Sequence, residues 1–572
     1  MTRASTLPEL QARYGARYRW LLLLAVMTGS VAAIMSSTIV NVAVPDLSAH
    51  FAIGQERAQW VASGFMMAMT VAMLTTPWML GRFGYRRTYA GTMWLLLIGG
   101  VAGGFANSFP LVLAARVAEG LAAGVVQPIP AIVIMRAFAP HEQGRAMGIF
   151  GTGVVLAPAL GPSLGGVLVD LFGWRSIFFM VVPFCLVSLW MSARYVPTAA
   201  PGGASANRDA AGMDWPSLLI AGAGTICLLN GLVQLHAGSG AAIVGLFGAA
   251  LALIVWFVVR QRALSQAMAR GDRGSPLMNQ ALFADRRFAM GSIVAFIYGM
   301  ALFGSTYLLP VYMQLGLQLS PSYVGGILLP SGLALALTIA LAGRLADTYS
   351  THILVSLGLG LLALSFALIL VITLRTPIWY VIAFTVLGRI GLGFILPSLN
   401  LGAMRGLNKD LIAQGASAIN FVRMLGGSAG VSLCGIVLEW RLAAHGDNLA
   451  TVASSPARLA AFNESFLMLT ALCVLAMLAA WQLRAPPADA APQQQPGQQC
   501  QAADWRAAKL HIGRVGRVFA PTPCNLQTHH VPVIGNEQPA ARQPDPEFHR
   551  IRPARRRHRP PCRWLGHRVL RE

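Results

Sequence analysis

Glu119 and Arg116 are the residues of this chain best placed to do chemistry. They stand three positions apart in the stretch AARVAEGLAAG, and Glu119 is the one acidic residue deep inside any of the long apolar segments. That spacing puts both side chains on one face of a helix. A charge at membrane depth costs about 2.5–3.5 kcal/mol or more unless it is paired or lines a wet cavity. The pair therefore reads either as a structural ion pair or as part of a transport pathway. Apolar burial and a neighbouring guanidinium pull a carboxyl pKa in opposite directions. A movement that parted Glu119 from Arg116 would then change the protonation of the acid, which is a coupling device in principle.

The elements that must position this pair are membrane-length helices. The chain has 572 residues, 55% hydrophobic and 11% charged, with a mean hydropathy of +0.59. Soluble proteins carry about 25% charged residues. About fourteen apolar segments long enough to span a bilayer fall near 20–44, 60–80, 88–107, 110–135, 146–169, 176–195, 216–235, 240–260, 288–311, 322–342, 353–373, 378–402, 414–438 and 464–483. The reading is an all-α, multi-pass membrane protein; a β-barrel would show short alternating segments instead. The first segment follows Arg3, Arg13, Arg17 and Arg19 and runs on to Pro45, longer than a signal-peptide core, so it is expected to be retained.

The net charge of +22 is unevenly placed. Arg82, Arg86, Arg87, Arg136, Arg145, Arg194, Arg260, Arg262, Arg286, Arg287, Arg344 and Arg405 crowd one set of loops, and the alternate loops hold few. By the positive-inside rule the crowded set is cytoplasmic, and an even helix count places both termini there too. The basicity thus encodes topology, and no nucleic-acid partner is implied. Of seven cysteines, no pair has metal or redox spacing. Neither a nucleotide loop nor a nucleophile–base constellation is present, so an enzyme, a cofactor and a metal site are not expected.

Segments 1–6 and 9–14 read as two copies of a six-helix unit. Pro45, ending helix 1, answers Pro310, ending helix 9; PWMLGRFG at 77–84 answers GRLADTYS at 343–350; Arg116 answers Arg389; GPSLGG at 161–166 answers GGSAG at 426–430. Offsets near 270 in the same order four times suggest a parallel repeat, with a substrate site between halves at mid-membrane. The expected division is a cytoplasmic N-terminus over 1–19, an N-terminal half over 20–195, a linker with two extra helices over 196–287, a C-terminal half over 288–483, and a disordered basic cytoplasmic tail over 484–572.

At these residues the chain resembles the major facilitator superfamily, and within it the fourteen-helix drug:proton antiporters of the EmrB/QacA type. STIVNVAVP at 37–45 resembles that group's helix 1 signature, WVASGF at 60–65 its helix 2 opening, and GRFGYRR and GRLAD the superfamily's cytoplasmic loop motif. GPSLGG in helix 5 resembles the antiporter motif, and the likeness covers about residues 15–483. It implies the major facilitator fold, two six-helix pseudo-repeats plus two central helices, in the cell inner membrane. It implies export of lipophilic or amphipathic small molecules driven by protons, with the lipid bilayer as surroundings and a periplasmic adaptor as a candidate partner. Two rivals stay open: a facilitator-fold transporter of a specific metabolite without proton coupling, and a non-transporting sensor or scaffold.

The resemblance also assigns positions. Pro158, Gly161, Pro162, Gly165 and Gly166 form the helix 5 motif, expected to pack against its counterpart in the other half and seal the outer side, or else to be a merely bent packing helix. Arg82, Gly84, Arg86, Arg87, Arg344 and Asp347 form the expected cytoplasmic gate, the loop arginines reading equally as topology anchors; Gly81 replaces the usual acid of the first copy, so that half should latch more weakly. Ser36 occupies the position of the group's helix 1 acid, beside Thr38 and Asn41, while Glu119 stands where the group commonly has glutamine. Either the titratable group has moved from helix 1 to helix 4, with Glu119 as proton carrier and Arg116 as its partner, or the pair is static. Phe65, Tyr307, Gln314, Arg389, Asn420 and Arg423 are the expected substrate-cavity residues, each alternatively a helix–helix contact.

Overall fold

The computed structural model describes residues 7–199, 212–237, 240–270, 276–373, 375–447 and 455–484. The chain divides into one compact unit, Met1–Ala490, and the stretch Ala491–Glu572, of which no residue is described. The expected tail therefore lies outside the described residues from 485 onward, as do 200–211 of the linker.

Helices occupy all fourteen expected positions: α1 (Tyr18–His50), α2 (Trp60–Phe83), α3 (Tyr85–Gly104), α4 (Phe109–Ala137), α5 (Gln143–Phe172), α6 (Ser176–Tyr195), α7 (Trp215–Ala237), α8 (Gly240–Ala269), α9 (Arg286–Gly316), α10 (Pro321–Thr348), α11 (Thr351–Ile369), α12 (Ile378–Met404), α13 (Ile412–Ala444) and α14 (Pro456–Ala480). No strand occurs among the described residues. Among the described residues, eleven helices are long and apolar enough to cross a membrane by length and composition. The others are α3, α5 and α7, of which α3 carries glycines and polar residues along its length.

Local chemistry sets the helix ends. Asp285 caps α9 by accepting from the Arg287 backbone N–H at 2.8 Å, and Ser455 caps α14 by accepting from that of Arg458 at 3.0 Å. Gly84, at φ +80°, makes the sharp joint between α2 and α3, a backbone region that favours glycine. The prolines behave differently from expectation. α1 continues through Pro45 to His50, and α9 passes Pro310 and ends in a π-helical turn, Tyr312–Gly316. A membrane helix tolerates a proline because neighbouring helices and local widening re-satisfy the freed carbonyl groups.

Packing follows one plan twice. α1 packs on α4, α5 and α6, α2 on α4, and α3 on α4 and α6; eight helices later, α9 packs on α12, α13 and α14, α10 on α12, and α11 on α12 and α14. The two groups meet chiefly where α5 lies on α10 and α12, and where α13 lies on α2 and α4. α7 packs on α2 and α13, along that seam, and on α8.

Candidate functional site

The charge site is built inside the first helical group. Arg116 and Glu119 on α4 are 2% and 1% exposed and form an ion pair. Ser36 on α1 completes it. Its hydroxyl accepts from Arg116 Nη1 at 2.8 Å and donates to Glu119 Oε2 at 3.0 Å, and its carbonyl accepts from Arg116 Nη2 at 3.0 Å. Arg116 Nε donates to the Val61 carbonyl at 3.3 Å, and the guanidinium lies 4.3 Å from the centre of the Phe65 ring on α2. The fork of the arginine is thus spent on three helices. Glycines on α3 let that helix close over the acid: a Cβ on Gly100 would stand 3.3 Å from Glu119 Oε1 and 3.0 Å from the Phe178 carbonyl oxygen. Removing one member of such a buried pair costs about 3–5 kcal/mol, because the other charge is stranded. Proton uptake by Glu119 would therefore have to accompany a movement of Arg116 or the arrival of another anion.

Thr38, two residues along α1 and on another face, donates to the Met35 carbonyl at 3.2 Å and faces Gly161, while Asn41 is exposed. The helix 5 motif thus departs from expectation. Gly161 and Gly165 let α5 approach Thr38 and Ile39 of α1, in the same group, rather than α13. In parallel, Gly426 and Gly430 of α13 press on the backbone of Phe296 and Met300 of α9. In this conformation both glycine runs join a helix to the first helix of its own group, and small residues are what permit that approach. Pro158 and Pro162 lie within an uninterrupted α5; a Cβ on Gly166 would meet nothing within 4 Å.

The contact between the groups lies at the arginine-rich end. Asp347 at the end of α10 accepts from the backbone N–H of Gly144 at 2.6 Å and of Arg145 at 2.8 Å, capping the start of α5, with Arg405 3.9 Å away. Arg405 also donates to the Pro140 carbonyl at 3.3 Å, and Arg136 to that of Lys409 at 2.8 Å. Gly343 lies directly against the backbone of Gly144 and Gly148, and the Thr152 hydroxyl donates to the Ala336 carbonyl at 3.2 Å. The first motif copy makes no such cap: at Gly81 a Cβ would meet nothing within 4 Å. Arg86 instead binds the Val196 carbonyl at 2.7 Å, Arg87 and Arg344 are exposed, and Arg82 is half-buried. Asp347→Ala is expected to loosen this end. A lost helix cap is worth about 0.5–2 kcal/mol, or a shift of about 2- to 30-fold in the closing equilibrium. Labelling of Met147→Cys by an impermeant maleimide, in a background without native cysteines, should rise by that factor; an unchanged rate would show the cap does not hold the end closed.

Between the groups lies a narrow cavity. Gln127 of α4, Phe150 and Gly151 of α5, Asn400 of α12, and Asn420 and Arg423 of α13 are among its walls. Of the expected cavity residues only Asn420 and Arg423 stand there. Phe65 is fully buried beneath Arg116, Tyr307 is exposed on α9 near Gly435, Gln314 sits in the terminal turn of α9, and Arg389 reaches the Thr306 hydroxyl at 3.4 Å. Sequence reading missed Gly144, Gly148 and Gly151, whose signal was a glycine at four- and three-residue steps on the face of α5. It also noted Arg136 and Arg405 only as loop charges, and did not separate Asn400 and Gln127 from the other polar residues of the spans.

The two extra helices are fastened at the same end. Asp214 pairs with Arg260 at 2.8 Å and hydrogen-bonds Ser217, and Gln261 links Ser217 at 2.8 Å to the backbone N–H of Met278 at 3.1 Å. Burial pushes the Asp214 carboxyl up, but the hydrogen bonds from Arg260 and Ser217 outweigh it and hold the group below the usual carboxylate range.

Known proteins are similar to this chain in sequence and fold. The family profile described as Major Facilitator Superfamily matches residues 26–431. A multidrug resistance protein B homolog of Mycobacterium tuberculosis (strain CDC 1551 / Oshkosh) is 30% identical over 429 residues, covering 74% of this chain and 76% of that protein. The lincomycin resistance protein LmrB of Bacillus subtilis (strain 168) is 24% identical over 450 residues, covering 78% and 90%. Among solved structures, the proton:xylose symporter XylE, of the major facilitator superfamily, superposes with a TM-score of 0.56 at 13% identity, over 82% of this chain and 96% of that one, which speaks to the fold alone.

Proposed function

This chain belongs to the major facilitator superfamily, and from that premise we propose that it is a proton-driven exporter of lipophilic or amphipathic compounds working by alternating access. That it is a multi-pass membrane transporter of small molecules rather than an enzyme follows from the family and its relatives. The finer reading rests on one observation above all: a buried carboxylate, Glu119, held between an arginine and the very serine that replaces the group's helix 1 acid. In this reading Glu119 carries the proton and Arg116 is its counter-charge. The groups 20–195 and 288–483 rock about the central cavity, with the Gly343–Gly148 contact and the Asp347 cap as the gate that must open. Fourteen helices cross the cell inner membrane, with both termini and the arginine-rich end cytoplasmic.

The test is reconstitution of the whole chain in liposomes with an imposed pH gradient and a panel of lipophilic dyes. Accumulation that follows the gradient supports the reading. Transport that persists unchanged without a gradient favours the uncoupled metabolite carrier, for which the tight enclosure of Glu119 as a static pair is the supporting observation. Topology has its own expected result: reporter fusions after Leu483 and within 200–211 should both report the cytoplasm. A periplasmic signal from either one would break the fourteen-helix count.

A further inference from the structure

The second helical group repeats the arginine of the charge site without its acid. Arg389 answers Arg116, but the position answering Glu119 is Leu392. Arg389 hydrogen-bonds only the neutral Thr306, and among the described residues it forms no ion pair. Arg423, one of the cavity walls, donates to Asn420 Oδ1 at 2.6 Å and likewise meets no carboxylate. The nearest acids along α13 are far from Arg423. Glu439 lies 16 residues on, about 24 Å of helix, and Asp410 lies before the helix starts. Glu464 on α14 is engaged by Arg441 at 2.7 Å. Among the described residues these two cations thus stand at membrane depth with no anion to offset them, which is costly. The guanidinium is the side chain whose planar fork best fits a carboxylate, sulfonate or phosphate.

We propose that this cavity, about 20 Å³ in the present conformation, widens in the transport cycle to take an amphipathic organic anion, its anionic group seated on Arg423 with Gln127, Asn400 and Asn420 as neutral partners and its apolar body against Phe150, Val154 and Leu396. Arg389, on α12 of the same helical group, adds positive potential. The inference rests on the export reading for its direction, and it sharpens that reading: outward movement of an anion and inward movement of a proton carry charge the same way, so the membrane potential would assist the exchange.

Equilibrium binding to the purified full-length protein needs no gradient, so its failure and the failure of proton coupling are distinguishable. Three matched probes serve: dansylglycine, an anion; dansylglycinamide, neutral; and N-dansylethylenediamine, a cation. Dansylglycine is expected to bind at least about tenfold tighter than the amide, with the amine weakest. Arg423→Gln should bring anion and amide to within about threefold of each other, chiefly by weakening the anion, and Arg423→Lys should keep part of the preference. Equal or tighter binding of the neutral or cationic probe, no dansylglycine binding up to about 1 mM, or an unchanged preference in Arg423→Gln would overturn the proposal. If Arg423→Gln fails to fold, the ranking of the three probes by the unaltered protein decides.

Discussion

Replacing Glu119 with glutamine is expected to turn a pump into an exchanger. Glutamine keeps the length of the side chain and can still meet Ser36, but it removes the one titratable acid at the charge site. One pH unit of gradient is worth 1.36 kcal/mol per proton. With one proton per substrate, the accumulation ratio reached by the parent protein in liposomes should fall from about ten to about one, while counterflow of substrate in both directions persists. The pH dependence of transport should vanish with it. Arg116 is left without a counter-charge, so some stability will be lost, up to about 3–5 kcal/mol for a broken buried pair; retained exchange is the sign that the variant is folded. Ser36→Asp in the same protein should then recover part of the accumulation. Ser36 Oγ already stands 2.8 Å from Arg116 Nη1, so a carboxylate placed there reaches the same guanidinium from α1. If Glu119→Gln alone accumulates substrate as well as the parent, the acid is a static partner of Arg116 and the proton does not pass through it.

The second large effect is expected at Gly343. Its missing side chain lets α10 lie directly on the backbone of α5 at Gly144 and Gly148, and backbone cannot rotate aside as a flexible side chain can. Gly343→Leu should therefore prevent closure of the arginine-rich end. Transport should fall by about 100-fold or more, since a step worth several kcal/mol of packing is blocked, while the protein still inserts. Maleimide labelling of Met147→Cys in that background should be high and unresponsive to substrate. Gly166→Leu is the matched control: the same bulk enters a place where a Cβ meets nothing within 4 Å, and activity should stay within about twofold. Near-normal transport by Gly343→Leu would show that α5 and α10 need not touch during the cycle.

The sequence by itself determined the class of this protein, because the bilayer leaves little choice. With 55% hydrophobic residues gathered in membrane-length runs, the backbone must satisfy itself within each helix, so helix positions could be read from apolar length alone. The isolation of Glu119 and its spacing from Arg116 were legible for the same reason: a charge inside an apolar run has no cheap exposed alternative and must find a partner within a turn or on a neighbouring helix. The departure at Ser36 was equally plain once the flanking residues were seen. What the sequence could not decide was which faces meet. Gly161 and Gly165 signal a close approach, but a glycine names no partner, and only the assembled structure sets them against α1 instead of α13. Asp347 at a helix end is compatible with many donors; the fold brings it to the start of α5, more than 200 positions away, where two free backbone N–H groups await an acceptor. Phe65 and Arg423 were both expected in the cavity, and the difference between them is a rotation about the helix axis that composition does not fix. Long-range helix contacts in a membrane depend on small-residue packing and a few polar pairs, with no hydrophobic difference between lipid and protein to mark the inner face. For that reason the helices could be read from the chain, whereas the cavity, the gate and the arginines left without an acid were decided only by the tertiary structure.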